Sequence, residues 1–171
     1  MAREVEIGPE RAGEEAAIGA VHCAAFNDTY EAAVVAGLRE GGWAIASLVG
    51  RVDGAVVGHV MFSTIALEVD GRAPRTAALA PLAVDEGWRA LGIGGRLVRE
   101  GLAICRAQGV EAVVVLGDPA YYRRFGFALE ALAHVRSPYG PGKLLGLELV
   151  PGALAGRAGQ VRYPAPFTRA Q

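Results

Sequence analysis

Apolar residues along the chain switch repeatedly between a helical spacing and continuous β-type runs. A short strand is predicted at Val5 to Ile7. The segment "GEEAAIGAVHCAAF" then places Ala17, Val21, Ala24 and Ala25 on one helical stripe, and "TYEAAVVAGLRE" repeats the pattern after Asn27-Asp28. "WAIASLVGRVDGAVVGHVMFSTIALEV" holds two Val- and Ile-rich runs around Asp53-Gly54, a strong signal for an antiparallel hairpin. After the loop "DGRAPR", "TAALAPLAV" reads as a further long strand. Its Pro81 cannot donate to a ladder, so a bulge or a gap in pairing is expected there.

From Gly94, "GGRLVREGLAICRAQG" carries Leu97, Val98, Leu102 and Cys105 on one stripe, with Gly109 as its stop. "VEAVVVLGD" follows as an apolar run without alternation, which suits a parallel strand covered on both faces. Strand, glycine-rich turn, helix and parallel strand make a βαβ unit. In "DPAYYRRFGF", Asp118 takes an N-cap position, Pro119 the first helical position, and Gly126 closes the short helix. "KLLGLELV" is a last strand, and the final ten residues show no assignable pattern.

Composition narrows the function classes. A chain of 171 residues, 52% hydrophobic, suits a single domain over residues 1–171 with a substantial core. Its net charge of −1, without blocks of like charge, gives no bulk attraction to nucleic acid or anionic membrane. Cys23 and Cys105 lie in apolar helical patterns as small hydrophobes, and nothing has metal-ligand spacing. No apolar run approaches a membrane span and no signal core opens the chain, so a cytoplasmic protein is expected.

The chemistry concentrates in "WRALGIGGRL", where a glycine-rich turn opens a helix and its first-turn amides form an anion site. A dinucleotide fingerprint fails because Leu97 stands where the third glycine belongs, and a P-loop fails for lack of Gly-Lys-Ser/Thr. The run Arg89-Ala90-Leu91-Gly92-Ile93-Gly94 instead resembles the R/Q-x-x-G-x-G/A pyrophosphate motif of the GNAT superfamily of acyl-CoA N-acyltransferases. The strand "LAPLAVDEGWR" is similar to that family's bulged fourth strand, and "YYRRFGF" to its Y-x-x-x-G-F signature. "APLAVDEGWRALGIG" together with "LGDPAYYRRFGF" resembles the YhbS-like bacterial subgroup.

That resemblance implies a mixed α/β GNAT fold: a central, mostly antiparallel sheet with a bulged, splayed central strand and flanking helices. It implies acetyl-CoA as cosubstrate, held by Arg89, Ala90, Leu91, Gly92, Ile93, Gly94 and Gly95 at the pyrophosphate and by Leu82, Ala83 and Val84 along the pantetheine arm. It makes the Leu82 amide the oxyanion donor, an interaction worth about 3 kcal/mol in a transition state. Tyr122 becomes the general acid toward the thiolate, since a phenol of pKa about 10 stays protonated where a thiol of about 8.5 ionises. Tyr121 is expected to pack.

The base is the family element that departs. "TAALAPLAV" contains no carboxylate, which leaves His59 on the preceding strand, Glu31 and Asp28 at the helix junction, or water. The expected acceptor is a small-molecule or peptide amine, and small residues at Ala78, Ala80 and Ala83 leave room for an acyl group longer than acetyl. A non-catalytic acyl-CoA-binding or regulatory module on the same fold is the alternative. The tail either folds back or pairs across a homodimer.

Overall fold

The computed structural model describes residues 3–168, so the last three of the ten unassigned C-terminal residues lie outside the described residues. Its strands are β1 (Val5–Pro9), β2 (Ala44–Val52), β3 (Ala55–Val69), β4 (Thr76–Val84), β5 (Ala112–Leu116), β6 (Val135–Arg136), β7 (Leu144–Glu148) and β8 (Gly159–Arg162). Its helices are α1 (Glu15–Phe26), α2 (Tyr30–Gly41), α3 (Ile93–Ala107) and the single turn α4 (Pro119–Tyr122). The sheet runs β1-β2-β3-β4-β5-β7, antiparallel except for the parallel β4-β5 pair. This is the mixed α/β arrangement, a mostly antiparallel sheet with flanking helices, that the resemblance implies.

The hairpin forms where Asp53-Gly54 was expected to make it. Both residues take positive φ (51° and 80°), the conformation that a two-residue turn between right-twisted strands needs. Along β2 and β3, successive side chains serve opposite faces. Leu48, Val60 and Phe62 pack beneath α3 with Leu97 and Leu102, whereas Val49 and Met61 pack beneath α1 and α2 with Ile18, Val34 and Leu38. Burial on both faces explains why these strands read as unbroken apolar runs.

α1 corrects the expected stripe. Its buried residues are Ile18, Val21 and His22, while Ala17 and Ala24 face solvent. A helix this rich in alanine offers little contrast between faces, and a histidine in the core has no apolar signature.

β3 is longer than a hairpin strand requires. Its far end, Ala66 to Val69, leaves β4 and pairs with β8, which itself pairs with β6. The tail thus folds back onto the sheet, ending in a 3-10 turn at Ala165–Phe167 against α2.

The feature that makes the cleft is local to β4. The β3 register slips between Val60↔Leu82 and Phe62↔Leu79, so Ala80 and Pro81 bulge out of the ladder. On the other edge, β4 pairs with β5 only over Thr76 to Ala78. Beyond Ala78 the two parallel strands part, and the gap between their C-terminal ends stays open.

Candidate active site

Two chambers occupy that gap, with volumes of about 570 and 540 Å³. Phe26 and Leu82 line both, so the first residue after the bulge stands where they meet.

The first chamber is built from the end of β4 and the start of α3. Arg89 is extended, Ala90 turns to φ 66°, and Gly92 caps α3 at φ 78°. This turn aims the first amides of a 15-residue helix into the chamber, where no carbonyl of the helix can accept from them. Gly94 admits close approach: a Cβ there would stand 2.9 Å from the Tyr121 hydroxyl. Arg89 and Gly92 to Gly95 all line the chamber, as do Leu82, Ala83, Val84 and Ala90. Leu91 does not; it lies at the loop's tip, 61% exposed.

Three arginines add positive charge. Arg89 donates from Nε to the Val84 carbonyl at 3.0 Å, which folds it against the strand end. Arg99 lies 5.1 Å from the Phe125 ring centroid, and Arg124 lies 4.5 Å from that of Tyr121. Arg99 and Arg124 were not foreseen. Their only sequence signal is position, one on the exposed side of α3 and one inside the aromatic motif. Tyr121 also departs from expectation, since it lines this chamber as well as packing edge-to-face on Tyr122 and Phe125. The set of first-turn amides and guanidinium groups suits a multiply charged phosphate ligand, with space left by the glycines for its approach.

The second chamber lies between β4, α2, α4 and the returning tail. Tyr122 lines it, placed by the Asp118 cap, whose Oδ1 accepts from the Ala120 amide at 2.9 Å as the Asp-Pro pair predicted. The Tyr122 ring lies so close to Gly117 that a Cβ on Gly117 would collide with it. Burial, and after it Tyr121, push the Tyr122 phenol up to about 12, so it stays protonated throughout the neutral range. Pro81, Ala80, Leu79 and Ala78 form one wall, and Tyr30, Tyr139, Tyr163 and Phe167 an aromatic one. The contribution of Tyr139, Tyr163 and Phe167 was missed because the tail carried no readable pattern.

Of the base candidates, Glu31 reaches this chamber. His59 does not. It is fully buried under α1, with Nδ1 2.7 Å from His22 Nε2 and Nε2 2.8 Å from Ser47 Oγ. Donor capacity fixes the protons in this chain. The Glu10 carboxylate accepts from Ser47 Oγ at 2.9 Å and from Arg39, so the Ser47 hydroxyl accepts from His59 Nε2. His59 Nδ1 then accepts from His22 Nε2, and His22 Nδ1 is left as a buried lone pair without a partner among the described residues. Burial holds both imidazoles neutral, that of His22 at a pKa of about 4. The His59 lone pair is spent inside the core, away from both chambers.

The sequence and fold comparisons agree with this geometry. The model of the Acetyltransferase (GNAT) family matches residues 13–127. The chain belongs to the GNAT family. It is 41% identical over 148 residues to the uncharacterized N-acetyltransferase YhbS of Escherichia coli K12, covering 84% of this chain and 87% of that one. The N-acetyltransferase YjhQ of the same organism, also uncharacterized, is 39% identical over 109 residues, 63% of this chain and 60% of its own.

Solved GNAT structures superpose closely. Escherichia coli YhbS in complex with CoA gives a TM-score of 0.88 at 38% identity, covering 99% of this chain and 94% of that one. A GNAT acetyltransferase from Brucella melitensis in complex with acetyl-CoA gives 0.79 at 34% identity, covering 98% and 100%. The likeness to YhbS bears out the subgroup that the motifs around β4 and α4 suggested. Among the described residues of this GNAT chain, no helix is long and apolar enough to cross a membrane.

Proposed function

We propose that the chain is an N-acetyltransferase that moves an acetyl group from acetyl-CoA to a primary amine by direct attack. The observation that carries this reading is the pair of chambers joined at Leu82: one built for phosphate, the other holding a protonated tyrosine. The α3 amides, Arg89, Arg99 and Arg124 receive the charged end of the cosubstrate, and the free edge of β4 receives its amide-bearing arm as an added strand would. Both solved relatives, one with CoA and the other with acetyl-CoA, support that assignment.

The amine enters as an ammonium and gives a proton to water, since β4 offers no carboxylate. Its nitrogen lone pair attacks the thioester carbonyl carbon. The Leu82 amide donates to the carbonyl oxygen as it becomes an oxyanion, worth about 3 kcal/mol there. Collapse breaks the C–S bond, and Tyr122 gives its proton to the departing sulfur, to be reprotonated by the proton shed from the amine nitrogen. The products are an amide, CoA thiol and one proton.

A module that binds acyl-CoA without turnover needs no acid beside the thioester. Release of CoA thiol, followed with a panel of amines, separates the two readings. Amine-stimulated release in the wild type, reduced about 100-fold or more in Tyr122→Phe with acetyl-CoA binding intact, is the expected result. Tight acetyl-CoA binding without stimulation by any amine would leave only the binding module.

A further inference from the structure

The second chamber is more selective than acetyl transfer to an arbitrary amine requires. One wall is a continuous aromatic surface: Tyr139 meets Tyr163 edge-to-face at 5.3 Å, and Tyr163 meets Phe167 at 5.0 Å. Tyr30 donates from its hydroxyl to the Phe167 carbonyl at 2.6 Å, which fastens that wall to α2. The opposite wall is Leu79, Ala80 and Pro81, apolar and mostly short.

Into this apolar space α2 delivers one carboxylate. Glu31 Oε2 is buried and has no hydrogen-bond donor among the described residues. An acceptor held out of water without a donor is costly, and more so when it carries charge. No lysine or arginine among the described residues lines the chamber to supply that donor. The chamber's other acid, Asp118, already accepts from the Ala120 amide through Oδ1. What the pocket lacks is one positive donor group, and what it offers around the gap is ring faces and aliphatic surface, which also favour a cation.

We infer that Glu31 receives the ammonium group of the acceptor, and that the acceptor is a monoamine whose single ammonium stands on an aromatic or bulky apolar body. This inference rests on the acetyl-transfer reading. It selects against three other kinds of amine. An amino acid brings a carboxylate that finds no basic partner and faces Glu31 and Asp118. A polyamine or amino sugar brings further cations or hydroxyls, for which the lining offers only the exposed Asp118 beyond Glu31, and has no ring to fill the aromatic wall. A lysine side chain is a slender aliphatic stem that leaves the aromatic wall unfilled. The volume, about 540 Å³, is ample for a bicyclic body. Glu31 acts here as a positioning residue, holding the amine in the chamber that Tyr122 also lines.

The test is calorimetric titration of 2-phenylethylamine and tryptamine into protein saturated with CoA, beside L-phenylalanine, spermidine and the neutral 2-phenylethanol. Binding of the two arylalkylamines at least tenfold tighter than of phenylalanine or spermidine is expected. Glu31→Gln should weaken the arylalkylamines at least tenfold while leaving 2-phenylethanol and acetyl-CoA binding unchanged. Tighter binding of spermidine or phenylalanine, no binding of the arylalkylamines, or arylalkylamine affinity indifferent to Glu31→Gln, would each overturn the inference. Those outcomes leave the acetyl-transfer reading standing, because it falls only if acetyl-CoA itself fails to bind or no amine stimulates thiol release.

Discussion

Tyr122 depends on a neighbour that has no side chain. Its ring lies over Gly117, and any Cβ there would collide with it. The phenol sits at the end of a four-residue helix, held by edge-to-face contacts with Tyr121 at 5.0 Å and Phe127 at 5.9 Å. Gly117→Ala therefore pushes the ring off the position where its hydroxyl faces the chamber. A proton donor in place is worth about 10²- to 10⁴-fold, so kcat should fall by at least tenfold. The amides proposed to receive the phosphates belong to the other chamber, so the dissociation constant of acetyl-CoA should stay within about twofold, a small fraction of the 1.4 kcal/mol that a tenfold change represents. Steady-state kinetics with calorimetry of acetyl-CoA measures both; equal loss of binding and turnover would give Gly117 a role in the fold rather than in placing the proposed acid. That Tyr122 would stand beside the cleft was legible at this scale because its motif fixes a spacing. His59 was misleading for a physical reason: an intrinsic pKa suited to a base says nothing of where the lone pair points, and the Ser47 and His22 contacts use both nitrogens. Arg99 and Arg124 were illegible because an arginine's reach, not its position in sequence, decides which chamber it joins.

At the scale of elements, α3 does two things at once: its N-terminus opens on the first chamber and its flank seals the sheet. The second task sets a limit at Gly101, where a Cβ would run into the ring of Phe62 on β3. Replacing a helical glycine by alanine normally gains up to about 1 kcal/mol of helix propensity. Here overpacking opposes it at about 1 to 3 kcal/mol, because Phe62 is fully buried and has nowhere to turn. The clash wins, and Gly101→Ala should lower the urea midpoint with an unchanged m-value; a raised midpoint would mean that the helix can slide on the sheet. The amphipathic pattern of α3 was plain in the sequence, and Leu97, Val98, Leu102 and Cys105 are all buried as it foretold. The bulge in β4 was legible from Pro81 alone. The stripe of α1 was not, because alanine hardly distinguishes an inward face from an outward one. Nor was the pairing of β8 with the far end of β3, which depends on contacts nearly a hundred residues apart along the chain.

For the molecule as a whole, the chain from Glu10 through Ser47, His59 and His22 crosses from the sheet edge into the core and couples stability to pH. Both histidines are neutral in the fold. Burial lowers His22 to about 4, and burial, the neighbouring His22 and then Arg39 lower His59 well below its ordinary value. In the unfolded chain each takes a proton as pH falls through about 6.5. Below that pH the unfolded state binds more protons than the native one, so stability falls with pH from about 6.5 down to about 4 and is flat above. His22 alone makes this worth up to roughly 3 kcal/mol, at 1.36 kcal/mol per pKa unit. Glu14 acts in a separate window: its hydrogen bonds to Arg51 hold it at about 2, so its contribution is present above its ordinary value of 4.5 and is lost only below that pH. Urea unfolding between pH 7.5 and 5 therefore isolates the histidines, and the midpoint should drop steadily across that interval. His22→Phe, which keeps a ring on Phe26 and removes one of the two titrating imidazoles, should flatten much of the slope. If the wild-type midpoint holds level from pH 7.5 to 5, the two imidazoles find protons in the folded core and the neutral chain described here is wrong.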